Sequence, residues 1–356
     1  MTGDMQKSPF TSRRTILKII LGAFLGLLAL IFRPLLLLLR TFFRERNVPD
    51  YIPLLSSNVI EDASRMDRTD VAEIWKIPQD LGVAEERLRE LVRKASREGL
   101  KISVAGSRHS MGGHVIYPNG IVVDTSGFKE MSLNTSENIL HVYSGARWSD
   151  VISYLDPLGY SVSVMQSNHD FSIGGSLEVN CHGWQSKSAP IASSVDSFRI
   201  LLSNGEIRTS SREQNSELFA HALGGYGLFG ILLDVKLKVV RNEKYRLKRF
   251  HQPSNAYAAA FDTLVTKKDK ARMAFGRLSV DADRYLTDSM LNVFYLEDGS
   301  PSALQKGEND FLEGLTRAIF RSSIGNDFGK RLRWNIESGR YGDFFFPIDS
   351  FQETAC

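Results

Sequence analysis

Three glycine-rich segments, far apart along the chain, constrain the fold more than any other feature. They are Val104–His114 (VAGSRHSMGGH), Ser172–Gly183 (SIGGSLEVNCHG) and Leu223–Ile231 (LGGYGLFGI). Glycines allow sharp turns and close approach of the backbone to a ligand, and consecutive N–H groups in such a loop can bind an anion. None of the segments is a P-loop or a G-x-G-x-x-G fingerprint, so ATP-binding and Rossmann interpretations lack support. We therefore expect the first segment to bind a pyrophosphate in some other type of fold.

Predicted helices and strands surround these segments without regular alternation. An amphipathic helix is predicted over residues 83–97, and a strand over 101–105 leads into the first glycine-rich segment. Asn204-Gly205 between two apolar runs predicts a β-hairpin, because this dipeptide suits a tight turn with positive φ. A β-branched strand is predicted over 230–240. This mixture favours an α+β fold over a doubly wound sheet.

The order and spacing of the three segments resemble the FAD-binding domain of the vanillyl-alcohol-oxidase type, also called the PCMH type. The resemblance extends from about Ile74 to Val240, and within the family it is greatest to sugar-alcohol and aldonolactone oxidases, which share a Gly-x-x-His-Ser loop. It implies an FAD-binding domain of two subdomains, followed by a partial α+β substrate-binding cap. The domain divisions that we expect are an N-terminal membrane anchor or export signal (1–46), a linker (47–66), the FAD-binding domain (67–244) and the partial cap (245–356).

The resemblance also implies which residues hold the cofactor, FAD. The first segment would wrap the pyrophosphate with backbone N–H groups, and the second would line the adenosine, the pyrophosphate and the path of the flavin. The third would close over the cofactor with main-chain contacts. The implied residues are Gly106, Ser107, Arg108, His109, Ser110, Gly174, Gly175, Ser176, Asn180, His182, Gly183, Gly227, Gly230 and Ile231.

His109 is the candidate for a covalent bond to the flavin. In many members of the resembled family, the histidine at this position is bonded to the 8α-methyl carbon of the isoalloxazine. Such a bond prevents loss of the flavin and withdraws electron density from its ring, which favours hydride abstraction. A non-covalent role as a phosphate ligand or helix cap stays open for His109. His114 is a nearby alternative, but its neighbours do not fit the family pattern.

Other residues that often carry chemistry have structural explanations here. The two cysteines, Cys181 and Cys356, give neither a disulfide framework nor a zinc site, and the histidine spacings predict no metal site. Cys181 is interpreted as a buried small apolar residue, and His182 as a hydrogen-bonding group beside the cofactor rather than an acid–base group. A net charge of +3, concentrated near the N-terminus, predicts no nucleic-acid partner.

An apolar stretch near the N-terminus predicts a membrane helix. Residues 19–32 are uncharged, Arg33-Pro34 interrupts the run, and residues 35–39 resume it. A spanning helix needs about 20 apolar residues, so the combined stretch suffices only if Arg33 snorkels to the interface. The preceding Ser12–Lys18 (SRRTILK) resembles a twin-arginine export signal, and a plain basic flank is the alternative. Without an A-x-A cleavage site, we expect a retained anchor.

The expected activity follows from the resemblance. It is an FAD-dependent oxidase or dehydrogenase that transfers a hydride from a CH–OH donor (a polyol, sugar or aldonolactone) to flavin N5, with oxygen or a membrane quinone as electron acceptor. The alternatives are an oxidase of a lipid-linked sugar and a truncated flavin-binding remnant without activity. Family members continue beyond the point matching Cys356, and their catalytic residues lie largely there, so no catalytic base is assigned.

Overall fold

The computed structural model describes residues 13–45, 58–299 and 310–339 of the chain. These residues belong to two compact units. The described part of the larger unit covers residues 58–277 and 290–299, and that of the smaller unit covers 13–45, 278–289 and 310–339. The divisions expected from the sequence, including the boundary between residues 244 and 245, stay predictions.

Helices and strands alternate irregularly along the described residues, as the sequence predicted. The α-helices are α1 (Arg13–Glu45), α2 (Leu81–Glu98), α3 (Trp148–Leu155), α4 (Ile173–Glu178), α5 (Ser216–Ala222), α6 (Tyr257–Phe261), α7 (Asp310–Ser322) and α8 (Asp327–Glu337). The strands are β1 (Val59–Ile60), β2 (Thr69–Asp70), β3 (Glu73–Lys76), β4 (Ile102–Ala105), β5 (Ile121–Asp124), β6 (Met131–Asn134), β7 (Ile139–Tyr143), β8 (Tyr160–Val162), β9 (Val195–Leu201), β10 (Ile207–Ser211), β11 (Ile231–Arg241), β12 (Lys244–Pro253), β13 (Ala271–Leu278) and β14 (Asp288–Glu297).

A small parallel sheet with the order β3-β5-β4 presents the first glycine-rich segment. The central strand β5 is an apolar run with Ile121 and Val123 fully buried, which is typical of a strand covered on both faces. Helix α2 connects β3 to β4 and packs Leu88 and Leu91 into the same core. Because β4 runs parallel to β5, its carboxyl end places Gly106 at the edge where β5 also ends.

Helix α2 has well-defined ends, which explains why the sequence predicted it. The Asp80 side chain accepts a hydrogen bond from the Val83 N–H at 2.9 Å and caps the first turn. Gly99 ends the helix in the left-handed conformation, with φ of 68°. The predicted helix over residues 83–97 is therefore confirmed.

A larger antiparallel sheet forms the second layer, with the order β10-β9-β11-β7-β6 and β8 paired to β11. The predicted hairpin at Asn204-Gly205 is confirmed, since Ile207 pairs with Leu201 and Gly205 has φ of 85°. The predicted long strand is β11, which lies at the centre of the sheet. Trp148 of α3 and Ile173 of α4 are fully buried in the main core beneath it.

A third sheet, with the order β12-β14-β13, is formed mostly by residues of the larger unit. The residues that follow the second glycine-rich segment pair with β13, the edge strand of this sheet. The Ala274 N–H donates to the Trp184 carbonyl at 2.8 Å, and the Trp184 ring stacks on Phe275 with centroids 4.3 Å apart. The peptide following Gly183 is thereby fixed to this sheet. The assignment of the sheet to a substrate-binding cap stays a prediction.

The smaller unit contains α1, α7 and α8. No single helix among the described residues combines the length and apolar character needed to cross a membrane, but Leu17–Leu28 and Phe32–Arg44 of α1 meet that test jointly, bent by 56°. The predicted membrane helix is therefore not confirmed.

Candidate functional site

The first glycine-rich loop leaves a run of backbone donors without protein acceptors. The N–H groups of Gly106, Ser107, His109 and Ser110 donate no hydrogen bond to any described part of the chain, and these residues are all half-buried. Half-buried amides normally find a partner, because an unpaired donor away from water costs free energy. A contiguous set of such amides is suited to the oxygens of a phosphate or pyrophosphate.

A buried carboxylate, Asp62, holds this loop in shape. Its Oδ2 accepts hydrogen bonds from the Gly113 N–H at 2.7 Å and from the Ser110 hydroxyl at 3.4 Å, and its Oδ1 accepts from the Ser64 N–H at 2.9 Å. Burial by itself raises the pKa of Asp62, but the hydrogen bonds from Ser64, Gly113 and Ser110 outweigh it and lower the pKa below its ordinary value. Asp62 therefore stays ionised behind the loop.

The backbone at Arg108 is fixed from the same side. Arg108 adopts a left-handed conformation with φ of 54°, and its carbonyl accepts a hydrogen bond from the Ala63 N–H at 2.9 Å. Its guanidinium donates to the Glu61 carbonyl at 3.2 Å. Residues 61–64, which the sequence suggested as linker, thus act as the scaffold of the loop. Sequence reasoning missed them because no motif signals them.

The second glycine-rich segment meets the first at Ser172, which caps α4. A Cβ placed on Gly106 would lie 2.1 Å from the Ser172 hydroxyl oxygen, so only glycine fits there. On the other side of the helix start, the Gly174 N–H donates to the Ser144 carbonyl at 2.8 Å. The two segments are therefore in direct contact.

The remaining predicted residues of α4 have defined places. Ser176 is buried, and its hydroxyl accepts a hydrogen bond from the Trp148 indole N–H at 2.9 Å and donates to the Ser172 carbonyl. Gly175 is exposed in the first turn of α4. Ser176 thus ties α4 to the core, and the predicted contact of Gly174, Gly175 and Ser176 with a cofactor stays a prediction.

The end of the second segment forms a tight turn. Asn180 has φ of 44°, and its side-chain oxygen accepts a hydrogen bond from the Ala192 N–H at 3.1 Å. His182 is exposed, and a Cβ on Gly183 would lie only 1.9 Å from the Met165 carbonyl oxygen. The close approach explains the glycine. The proposed place of Asn180, His182 and Gly183 along the flavin path stays a prediction.

Cys181 fits its structural interpretation. Its side chain is partly buried against the main core, and the thiol donates to the Gln166 side-chain oxygen at 2.9 Å. Burial raises the pKa of the Cys181 thiol to about 11, so it carries no nucleophilic thiolate at neutral pH.

The third segment lies against the end of α4. The Gly224 N–H donates to the Leu177 carbonyl at 2.9 Å, and the Gly227 N–H donates to the Glu178 carboxylate at 2.6 Å. Burial raises the pKa of Glu178 to about 7, although the bond from Gly227 opposes this shift. Sequence reasoning did not single out Glu178, because its unusual state depends on contacts made across the fold.

Gly230 and Ile231 adjoin strand β9. Gly230 has φ of 151°, and a Cβ there would lie 2.4 Å from the Leu201 carbonyl oxygen. Ile231 begins β11, where it is buried and pairs with Leu201. The structure therefore joins the first segment to the second at Ser172 and the second to the third at Glu178, with α4 as the common element.

His109 lies in the first loop with its ring 5.1 Å from that of Phe171. Burial lowers the pKa of the imidazole, the Asp170 carboxylate opposes this, and the Arg147 cation adds to the lowering. The ring is therefore neutral at neutral pH, and a neutral imidazole keeps one nitrogen lone pair available for bonding. His114, the alternative, is exposed.

Comparison with known proteins agrees with this geometry. Residues 83–211 match the family model described as "FAD binding domain". The chain is 28% identical over 209 residues to an uncharacterized oxidoreductase, ORF5 in the fasciation locus of Rhodococcoides fascians, covering 56% of this chain and 46% of that protein. It is 24% identical over 291 residues to decaprenylphosphoryl-beta-D-ribose oxidase of Mycolicibacterium smegmatis, covering 75% and 62%.

A third relative is the putative D-arabinono-1,4-lactone oxidase of Neurospora crassa, 25% identical over 173 residues, which are 48% of this chain and 30% of that protein. The chain thus spans less than two thirds of each of these relatives. The matched region of this chain contains the first two glycine-rich segments, and the third follows shortly after it.

Proposed function

We propose that this chain, whose residues 83–211 match the FAD-binding family model, is an FAD-dependent oxidoreductase acting on a CH–OH donor such as a polyol, sugar or aldonolactone. The observation that carries the proposal is the run of half-buried N–H groups from Gly106 to Ser110 beside the cap of α4. The relatives named as oxidases and an oxidoreductase support a redox role for the domain.

The residues present fit FAD. The open amides of Gly106, Ser107, His109 and Ser110 supply donors for a pyrophosphate, and the collision that a Cβ at Gly106 would cause shows that the loop closely abuts its neighbour. When bound, FAD supplies the two-electron oxidant that no amino-acid side chain provides. The protein's own task is to bind the phosphates, exclude water and hold the donor carbon in place.

We further propose that His109 attaches the flavin covalently. Its half-buried ring lies in the phosphate loop itself, and its lowered pKa keeps the ring neutral, which bond formation through nitrogen requires. Phe171 packs beside the ring and restricts its orientation. A bonded cofactor would resist loss during turnover.

A second candidate is oxidation of a lipid-linked sugar. The similarity to decaprenylphosphoryl-beta-D-ribose oxidase covers 75% of this chain and so extends beyond the FAD-binding domain. The apolar N-terminal segment would keep the enzyme near such a substrate, and we propose that it anchors the protein to a membrane. Oxygen or a membrane quinone would then serve as the electron acceptor.

Acid denaturation of the purified protein tests the cofactor and its attachment. A yellow polypeptide whose flavin maps to the peptide containing His109 is the expected result. Colour that leaves the protein would refute attachment but keep FAD binding, and a colourless, folded protein that takes up no FAD would refute the whole proposal. A His109→Ala variant should bind FAD without the covalent link.

Anaerobic mixing with donors tests the activity. Bleaching of the flavin absorbance by free polyols, sugars or aldonolactones supports the main proposal, and bleaching only by a polyprenyl-phosphate sugar supports the second candidate. If the colour persists with every donor, the chain binds flavin without catalysing the reaction.

A further inference from the structure

The first arm of α1 exposes an apolar surface on all sides. This arm, Leu17–Leu28, is bent by 56° from the second arm, Phe32–Arg44. Its large apolar side chains, each at least 55% exposed, are Leu17, Ile19, Ile20, Leu21, Phe24, Leu25 and Leu27. A contiguous exposed apolar surface of this extent marks an interaction site.

The second arm is fixed to the rest of its unit. Leu38 packs against the cluster of Ile319, Leu332 and Ile336 on α7 and α8. The Arg33 guanidinium lies 4.4 Å from the centre of the Phe328 ring, and Thr41 is buried. One face of this arm therefore belongs to the protein interior.

The opposite face of the second arm is apolar and exposed. Leu35, Leu36, Leu39 and Phe43 are between 43% and 61% exposed. The second arm thus packs against α7 and α8 on one side and exposes an apolar face on the other. The exposed apolar face of the second arm therefore continues the apolar surface of the first arm.

The charges on the two arms identify the partner. From Leu17 to Arg44 the chain carries basic residues at Lys18, Arg33, Arg40 and Arg44 and no acidic residue. The basic residues other than Arg33 stand near the outer ends of the two arms. Cations at both ends of an apolar helix suit anionic lipid headgroups on one and the same surface.

The dimensions agree with a shallow position in the lipid. Each arm is roughly 18–20 Å long at 1.5 Å per residue. If each arm tilts by half of the 56° bend, the apex lies roughly 8–9 Å below the two ends. A depth of roughly 8–9 Å is well short of the about 30 Å of hydrocarbon that a spanning helix must cross, so a helix bent in this way can remain within one leaflet.

We propose that α1 is a bent monotopic anchor that lies in one leaflet of an anionic membrane, with both of its ends at the headgroups of that leaflet. The proposal rests on the membrane association suggested above and is independent of the flavin chemistry. Arg40 and Lys18 contact headgroups, and the exposed leucines and Phe24 contact acyl chains. The unit made of α7 and α8 lies on the aqueous side of the second arm.

Proteoliposomes test whether both ends of α1 lie on the same side of the bilayer. They contain the full chain with different tags at its N- and C-termini. Protease added outside sealed vesicles should remove both tags from one population of molecules and neither tag from the other. Fragments that retain a single tag would show that α1 crosses the bilayer and would overturn the proposal, while leaving membrane association intact.

The lipid contacts are tested by vesicle flotation. Leu21→Glu combined with Leu25→Glu should abolish binding, whereas Ile324→Glu, which changes an exposed apolar residue outside α1, is the matched control and should bind normally. Lys18→Ala with Arg40→Ala should weaken binding to anionic vesicles on the order of thirtyfold and leave neutral vesicles little changed. Failure of the unchanged protein to bind any vesicle would overturn both this proposal and the membrane localisation, but not FAD binding.

Discussion

Replacing Glu178 by glutamine tests the link between the second and third glycine-rich segments. The amide oxygen of the new side chain would still accept the hydrogen bond from the Gly227 N–H, now 2.6 Å from the carboxylate. What the change removes is the charge. Burial raises the pKa of Glu178 from 4.5 to about 7, so the folded state disfavours the ionised carboxylate.

The magnitude follows from the pKa shift. Each pKa unit corresponds to about 1.4 kcal/mol, so the shift gives an upper limit of about 3 kcal/mol, and partial solvent access reduces it to about 2 kcal/mol. Because the folded-state pKa is raised, the contribution of Glu178 to stability is fully present below pH 4.5 and is lost as the pH rises through 7. The Glu178→Gln variant should therefore match the unchanged protein at pH 4.5 and exceed its stability by about 2 kcal/mol at pH 8.

Urea denaturation at several pH values, followed by tryptophan fluorescence, measures this difference. Glu206→Gln is the matched control, because Glu206 is exposed beside the Asn204-Gly205 turn and is ion-paired with Arg208 at 2.9 Å. Its substitution should bring no gain at pH 8. A stability difference between the Glu178→Gln variant and the unchanged protein that does not vary with pH would refute the raised pKa of Glu178 in the folded protein.

Three further predictions concern the first loop and its contacts. Gly106→Ala should weaken FAD binding and cost about 1–3 kcal/mol of stability, because the new Cβ collides with Ser172. The control is Gly127→Ala, where nothing lies within 4 Å of the added Cβ, and it should change neither the FAD titration nor the urea midpoint. Asp62→Ala should destabilise the protein by about 2–4 kcal/mol and reduce FAD uptake, because it leaves the buried N–H donors of the loop without an acceptor. Unchanged FAD uptake would contradict the role of Asp62 in holding the loop. Covalent incorporation of FAD should slow less between pH 8 and pH 6 than protonation of a free imidazole would predict, because burial lowers the pKa of His109, and a rate that falls in proportion to protonation of a free imidazole would argue against the buried position.

Elements set by local chemistry could be predicted from the sequence. Helix α2 has an aspartate cap, an amphipathic pattern and a terminal glycine, and the β9–β10 hairpin has Asn204-Gly205 at its turn. In each case neighbours within a few residues determine the backbone. The same holds for the glycines of the site, because a tight approach of the backbone leaves glycine as a visible mark in the sequence.

Contacts made over long distances could not be predicted in this way. The pairing of the Trp184 segment with β13 joins residues 90 positions apart, as in the hydrogen bond from the Ala274 N–H, and no local pattern indicates it. The bend in α1 occurs beside Pro34, a residue that removes a helical hydrogen bond and kinks helices; the sequence marked this interruption of the apolar run but did not give the angle of 56°. Local patterns therefore predicted single elements, whereas pairings between distant segments and the geometry of the bend came only from the structure.

The two carboxylates that support the loops show why charge states escape sequence reasoning. Asp62 is fully buried and Glu178 is half-buried, yet hydrogen bonds lower the pKa of Asp62 while burial raises that of Glu178. An FAD pyrophosphate is an anion, so an ionised carboxylate facing it would weaken binding, whereas a neutral one would not. The Asp62 carboxylate accepts hydrogen bonds from the Gly113 and Ser64 N–H groups, which offset its charge. Glu178, with a pKa of about 7, takes up a proton near neutral pH. In the His109→Ala variant, which binds FAD without a covalent link, FAD should therefore bind more tightly at pH 6 than at pH 8, and this difference should shrink when Glu178→Gln is added. Equal pH dependence with and without Glu178→Gln would place Glu178 away from the phosphates.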